Sequence, residues 1–177
     1  MPTHIGFLRA VNIGKRQYRT ADLRAALEGA GYTDVETHIQ TGNIKLGSPL
    51  RSRAKVEAEL EALFLADRGF EVVTMVLSPT ELTRVATEAE ELAASHRPEH
   101  GQYLTFLKSE PSADAAAAVE ALPGEGETFL VRGRVVHMLY DVPYGTSKTA
   151  PLIEKKAGPG TNRNLTLVRT LAEKWGV

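Results

Sequence analysis

Residues 35–46, VETHIQTGNIKL, contain the pattern from which the topology of the first half of the chain can be worked out. Apolar and polar side chains alternate up to Gln40, a Thr-Gly-Asn turn follows at 41–43, and the alternation resumes at Ile44. Alternation with a period of two is typical of half-buried strands, and a short glycine-containing turn between two such runs is typical of a hairpin. These residues therefore predict a β-hairpin.

A strand and a helix are predicted before the hairpin. Residues 4–13, HIGFLRAVNI, are apolar on both alternating faces except for Arg9, as in a strand that is buried on both sides. Thr20 can cap a helix that Gly31 ends, because threonine accepts from the first N–H groups of a helix and glycine adopts the left-handed conformation that closes one. The apolar stripe of this helix consists of Leu23, Ala26, Leu27 and Ala30.

A second helix and another strand are predicted after the hairpin. From about Ser52, apolar residues recur at i, i+4, i+7 and i+8, which is the spacing of one helix face. Residues 71–77, EVVTMVL, then read as a strand. The order of elements over residues 1–77 is therefore βαββαβ, which is the order of a ferredoxin-like, split β-α-β unit.

The second half of the chain repeats this order in part. Ser78 to Glu81 form a capping box, which starts a helix that links the halves over residues 78–98. A strand at 103–107, an alanine-rich helix at 113–122 and a hairpin at 128–140 follow, and two C-terminal helices are expected after them. We therefore expect an α+β fold of two ferredoxin-like subdomains, residues 1–77 and 99–177, with C-terminal helices.

Composition excludes several classes of protein. The chain has 177 residues, of which 42% are apolar and 24% are charged, as in an ordinary globular protein. No apolar run is long enough for a membrane helix and the N-terminus does not resemble a signal peptide, so we expect a cytoplasmic protein without a membrane partner. It contains no cysteine, and it lacks the usual hydrolase and dinucleotide-binding glycine motifs. We expect neither a metal nor another cofactor.

The net charge of -1 conceals an uneven distribution. Residues 1–55 carry nine Lys and Arg against four Asp and Glu, and residues 131–177 carry eight against three, whereas residues 56–130 carry four against fifteen. Two basic ends would attract phosphate, carboxylate or nucleic acid if the fold brought them together. The alternative is that the acidic middle consists simply of solvated helix faces.

The C-terminal region contains the features of an anion site. Thr146 or Ser147 can cap a helix that opens with Lys148, and Thr161 or Asn162 can cap a last helix close to Arg163. Each helix start would combine N–H groups and hydroxyls with a cation, which is what an anion site requires. Helix capping without a ligand is the alternative use of the same residues.

Three blocks that span nearly the whole chain are similar to those of one known family. The blocks are residues 7–14 (FLRAVNIG), residues 37–43 (THIQTGN), and Ser147-Lys148 followed by residues 161–164 (TNRN). They resemble the bacterial family catalogued as domain of unknown function 1697, although Ala10 stands where that family has glycine. The resemblance implies two ferredoxin-like subdomains and no established activity.

The three blocks supply the candidate site residues, all of them outside the acidic middle. They are Arg9, Asn12, Gln40, Asn43, Ser147, Lys148, Thr161, Arg163 and Asn164. We expect them to form a cleft between the subdomains that binds a phosphate-bearing anion, either a nucleotide or a nucleic acid. Lys148 and Arg163 would hold the charge, and Gln40 or Asn43 would read a polar edge of the ligand.

Two other functions stay open at this point. The protein could be an enzyme for a small anionic substrate, with a base such as Asp141, although no carboxylate lies in the matching blocks. It could also be a structural or protein-interaction module, in which the polar blocks only fix the packing of the halves. The sequence does not fix the oligomeric state.

Overall fold

The computed structural model describes residues 1–177 and contains six α-helices and eight β-strands. The chain divides into two compact units, residues 1–82 together with 174–177, and residues 83–173. None of its helices combines the length and apolar character needed to cross a membrane.

The first unit has the predicted βαββαβ order. Its elements are β1 (Thr3–Leu8), α1 (Thr20–Gly29), β2 (Thr33–His38), β3 (Asn43–Gly47), α2 (Arg53–Arg68) and β4 (Thr74–Leu77). The strands pair in the order β2-β3-β1-β4, and every pair is antiparallel. The predicted hairpin is therefore β2–β3, which pairs through β3 with the first strand of the chain.

The second unit repeats the same topology. Helix α3 (Pro79–His96) precedes the remaining elements, which are β5 (Gln102–Leu107), α4 (Ala113–Glu120), β6 (Glu127–Arg132), β7 (Val135–Tyr140), α5 (Ala150–Ala157), β8 (Gly160–Asn164) and α6 (Leu165–Trp175). Its strand order, β6-β7-β5-β8, corresponds position by position to that of the first sheet. The α+β fold of two ferredoxin-like units is thus confirmed.

The predicted start of the last helix is wrong. Thr161 and Asn162 were expected to cap the last helix, but both belong to β8, which pairs with β5 along its whole length. The cap of α6 comes later, because the side chain of Asn164 accepts from the backbone N–H of Leu167 at 2.8 Å. A polar side chain does cap the last helix, as expected. The capping residue is Asn164, because the residues before it form the short polar strand β8.

The core of the first unit lies between one face of its sheet and the two helices α1 and α2. The buried side chains of this core include Leu8, Ile44, Leu46 and Val76 from the strands and Leu23, Leu27, Val56, Leu60 and Phe64 from the helices. Burial of such a side chain contributes about 1.5–3 kcal/mol, so this layer provides a large part of the folding free energy.

Carboxylates of α2 cover the exposed edge of the first sheet. Glu57 accepts from the N–H of Val76, and Glu61 accepts from the N–H of Thr74, both at 2.9 Å. These N–H groups belong to the edge strand β4. An uncovered edge can pair with another chain, so the two glutamates protect it.

The core of the second unit lies between its sheet and helices α4 and α5. Its buried side chains are Leu107, Val119, Phe129, Val136, Met138, Tyr140 and Ile153. Tyr103 and Tyr144 pack against this cluster, and their rings stack at a centroid distance of 4.0 Å. Helix α5 therefore packs against aromatic and aliphatic side chains through Ile153.

The first strand ends sooner than its apolar sequence predicts. Strand β1 stops at Leu8, although residues 4–13 were expected to form one strand. Ala10 and Asn12 have φ angles of +53° and +58°, in the left-handed region that a strand cannot contain. The chain therefore leaves the sheet and forms a loop before α1.

Ala10 gives a stability prediction, because it adopts a conformation that glycine prefers. Ala10→Gly is expected to raise the free energy of unfolding by about 0.5–1 kcal/mol, since the relief of left-handed strain exceeds the extra backbone entropy of glycine. Urea denaturation measures the difference. Ala25→Gly, at an exposed position inside α1, is the matched control and should lower it by about 1 kcal/mol. Equal losses in both variants would contradict this explanation.

Candidate functional site

In the first unit, two of the predicted site residues hold loops together. The side-chain amide of Asn12 donates to the carbonyl of Gln40 at 2.6 Å, and its oxygen accepts from the N–H of Tyr18 at 2.9 Å. Asn43 is 1% exposed, and its amide donates to the carbonyl of His38 at 3.0 Å and to the hydroxyl of Thr41 at 2.9 Å. The amide nitrogens of both asparagines are engaged with the protein itself.

The other two predicted residues of this unit are more accessible. Gln40 is exposed at the β2–β3 turn, and Arg9 is partly exposed just after β1. Arg16, which is not among the predicted site residues, donates to the carbonyls of Ala10 and Glu71. Arg16 thus stabilises the loop after β1. In the sequence it lies in a short polar run that is typical of an ordinary turn, so no signal marked it.

In the second unit, α5 occupies the same place in the element order as α2 but is half as long. Helix α2 has 16 residues and α5 has eight. A cavity of about 360 Å³ lies beside α5 and the edge strand β8. We call this cavity the α5–β8 cleft.

Apart from the carboxylate of Glu154, the lining of the α5–β8 cleft is uncharged, with polar and apolar side chains. Its wall contains Thr105, Met138, Tyr144, Gly145, Ser147, Ala150, Pro151, Ile153, Glu154, Gly158, Gly160, Thr161 and Asn162. Two of the predicted site residues, Ser147 and Thr161, are among them. Glu154 is the one charged residue in the wall, so the cleft offers hydrogen bonds rather than a strong local charge.

Asn162 and Tyr144 provide the most specific polar contact in the cleft. The amide nitrogen of Asn162 donates to the Tyr144 hydroxyl at 3.0 Å. Burial raises the pKa of Tyr144, so its hydroxyl keeps a proton at neutral pH. The amide oxygen of Asn162 and the hydroxyl proton of Tyr144 can therefore meet a donor and an acceptor of a ligand.

Ser147 and Lys148 lie where the chain enters α5. The Ser147 hydroxyl accepts from the N–H of Ala150, the first residue of α5, at 3.0 Å, although the N-cap position is occupied by Thr149 and not by Ser147. The helix begins at Ala150 rather than at Lys148. Lys148 is exposed and stands in the chain between Ser147 and Ala150, both of which line the cleft.

Arg163 does not lie at a helix start, where it was predicted. It is 6% exposed on β8, opposite Leu104 of β5, and donates to the hydroxyl of Thr161 at 2.9 Å and to the carbonyl of Asn162 at 2.8 Å. Burial lowers its pKa to about 10, so it stays a cation at neutral pH. Neighbouring strand residues point to opposite faces, so the side chains of Arg163 and Asn162 lie on opposite sides of the sheet.

The structure thus separates the nine predicted residues into groups with different surroundings. Ser147 and Thr161 line the α5–β8 cleft, and Lys148 adjoins it in the chain. Asn164 caps α6, while Arg163 is buried in the sheet. Thr105, Tyr144 and Asn162 complete the cleft; Asn162 lies in the quoted TNRN block, but the other two had no signal in the sequence.

His137 is a core residue, as its position on a strand face suggests. It is completely buried on β7. Its Nδ1 lies 3.5 Å from the amide nitrogen of Gln102, and its Nε2 lies 3.5 Å from a carboxylate oxygen of Glu88. Burial lowers the pKa of His137, which favours a neutral ring within the second unit.

Comparisons with known proteins give the fold and the family. The structure is similar to that of the conserved bacterial protein SP0830 from Streptococcus pneumoniae, with a TM-score of 0.76 and 24% sequence identity over 99% of this chain and 98% of that one. A search of curated proteins found no match. The sequence profile described as "Protein of unknown function (DUF1697)" matches residues 1–137. The chain therefore belongs to the family of unknown function DUF1697.

Proposed function

We propose that this protein binds a phosphate-bearing small molecule of nucleotide size, and that the α5–β8 cleft is its binding site. The observation that carries the proposal is the cavity itself, whose volume of about 360 Å³ is that of a small-ligand pocket. Residues from one of the family-like blocks, Ser147 among them, form part of its wall.

The neutral lining suits the uncharged part of such a ligand. Asn162, Tyr144 and Thr105 can exchange hydrogen bonds with a base or a sugar, while Met138 and Ile153 contact its apolar faces. A small-molecule site typically combines apolar walls with a few polar groups that fix orientation. This lining therefore supports recognition of a nucleoside-like group.

The segment that enters α5 suits the phosphate. Lys148 is exposed beside lining residues, and the N-terminal end of α5 carries the positive end of the helix dipole. A cation next to a helix start is a favourable place for an anion. The phosphate of the ligand would therefore lie beside Lys148 and the N-terminal end of α5, and the uncharged part of the ligand would lie in the cleft.

Binding is favoured over catalysis, and a nucleotide over a long nucleic acid. The one carboxylate in the cleft wall is that of Glu154, which gives no paired acid and base. Aromatic residues make up 6% of the chain, whereas proteins that bind single strands present several stacking rings along a basic track.

A thermal-shift panel of mononucleotides, sugar phosphates and short oligonucleotides tests this proposal. A mononucleotide at about 100 times its Kd is expected to stabilise the wild type by about 2.7 kcal/mol. Lys148→Ala should weaken that stabilisation through loss of the phosphate contact, and Thr105→Val should weaken it through loss of a hydroxyl in the cleft.

The matched control is Lys55→Ala, which removes an exposed lysine of the first unit. It should respond to the ligand as the wild type does. No response to any compound in the panel would contradict the proposal, as would a response that Lys148→Ala and Thr105→Val leave unchanged.

A further inference from the structure

The first unit contains a second cavity, which no part of the proposed function uses. Its volume is about 530 Å³, and it lies where the start of β1, the end of β4 and the first residues of α2 and α3 meet. We call it the basal cavity. Its lining consists of Pro2, Thr3, His4, Arg51, Arg53, Val76, Leu77, Ser78 and Glu81.

Positive charge dominates this lining. Arg51 is exposed and has no ionic or hydrogen-bonding partner, and the Arg53 guanidinium lies 3.6 Å from a carboxylate oxygen of Glu81. Glu81 is already engaged, because its other oxygen accepts from the N–H of Ser78 at 2.7 Å. The lining thus contains two guanidinium groups and one carboxylate, and that carboxylate already accepts a helix-capping hydrogen bond.

His4 adds a ring nitrogen to the wall of the cavity. The residue is 7% exposed, and its Nε2 lies 2.9 Å from the carbonyl oxygen of Leu50. A carbonyl can only accept a hydrogen bond, so Nε2 carries a proton. In the Nε2-protonated neutral tautomer, Nδ1 is a hydrogen-bond acceptor. Within the protein, the hydrogen bond of the His4 ring is the one from Nε2, so a ligand in the cavity can supply a donor to Nδ1.

We propose that the basal cavity binds the inorganic hydrogen phosphate ion. Arg51 and Arg53 would donate to its charged oxygens, as guanidinium groups do to phosphate, and the hydroxyls of Thr3 and Ser78 can add neutral donors. The Nδ1 atom of His4 accepts the proton of the P–OH group. The carboxylate of Glu81, which repels an anion, stays held by Ser78 and Arg53.

The acceptor makes the site selective between anions of similar shape. Sulfate has no proton at neutral pH, and a phosphate monoester has lost most of its second proton, since that pKa is about 6. Neither ion can satisfy His4 as hydrogen phosphate does, and an acceptor left without a donor costs binding free energy. The site does not depend on the α5–β8 cleft, because it lies in the other unit and uses other residues.

NMR titration of the ¹⁵N-labelled protein at constant ionic strength tests the inference. Inorganic phosphate should shift the amide signals of Thr3, His4 and Ser78 in a saturable way. Sulfate and glycerol phosphate are expected to bind about 10-fold more weakly, which corresponds to one lost hydrogen bond. Arg51→Ala should weaken phosphate binding about 10-fold as well.

The controls separate this site from folding and from the cleft. Arg19→Ala removes an exposed arginine from the same unit, and Lys148→Ala alters the proposed nucleotide site. In both variants, the shifts of the Thr3, His4 and Ser78 signals on addition of phosphate should match those of the wild type. The inference is overturned if phosphate gives no saturable shift, if sulfate binds as tightly, or if Arg51→Ala has no effect; loss of binding in Lys148→Ala would place the phosphate in the cleft instead.

Discussion

Trp175→Ala is expected to lower the free energy of unfolding by about 3–5 kcal/mol, the largest effect of any single substitution considered for this chain. Trp175 is 4% exposed at the end of α6 and belongs to the first unit. Its indole N–H donates to a carboxylate oxygen of Glu36 at 2.9 Å, and its ring meets that of His38 edge to face at 6.3 Å. Through these two contacts, the Trp175 side chain packs the end of α6 against β2.

The electrostatics of Glu36 support this role. Hydrogen bonds from Lys45 and Trp175 lower the pKa of Glu36, so its carboxylate is ionised at neutral pH and accepts from both. Loss of the indole removes one of these donors along with the buried ring. Most of the expected cost still comes from the ring, since Glu36 is exposed and water can replace the donor.

Urea denaturation followed by far-ultraviolet circular dichroism measures the effect. Trp175→Phe is the matched control, because it keeps an aromatic ring while it removes the N–H group and part of the buried ring volume. It should cost about 1–2 kcal/mol, clearly less than alanine. A loss below about 1 kcal/mol for Trp175→Ala would show that the end of α6 does not stabilise the first unit.

Arg163→Ala is expected to cost about 3 kcal/mol, because the guanidinium is buried and donates to two groups of its own strand. The substitution leaves the Thr161 hydroxyl and the Asn162 carbonyl without their charged donor. It also removes a long side chain from the face of the sheet that carries Leu104. Arg163 is therefore expected to stabilise the second unit rather than to bind a ligand.

Two readouts separate these roles. The variant should melt earlier than the wild type, yet its melting temperature should still rise on addition of a nucleotide. Arg169→Ala, which breaks an exposed ion pair with Glu90, is the control and should change stability by less than about 1 kcal/mol. An Arg163→Ala protein of normal stability that no longer responds to nucleotides would assign Arg163 to the ligand.

The fold was predictable where periodicity and capping agree. The hairpin at residues 35–46 and the capping box at Ser78 are both present, because their signals are local and each is reinforced by the fold. Strand β8 was missed since its sequence, GTNRN, is short, polar and rich in helix-capping residues. Only its pairing with β5, which lies more than 50 residues earlier in the chain, makes it a strand.

The candidate site was predictable only in part, for a related reason. Ser147 was found because a capping residue has a local signature, and its hydroxyl does accept from the first N–H group of α5, although Thr149 occupies the N-cap position. Thr105 and Tyr144 carry no such signature, because they reach the cleft through the packing of β5 and the segment before α5. Arg163 was predicted to bind the anion because it was expected beside a helix start. It lies instead on β8, where its side chain points to the opposite face of the sheet from Asn162, which lines the cleft.

The most direct test of ligand binding is to map a mononucleotide onto the ¹⁵N-labelled protein by NMR titration. The proposed site predicts saturable shifts of the amide signals of Thr105, Gly145, Ser147 and Asn162, with loss of affinity in Lys148→Ala. Shifts confined to other parts of the chain, or none at all, would contradict the assignment of the α5–β8 cleft as a nucleotide site.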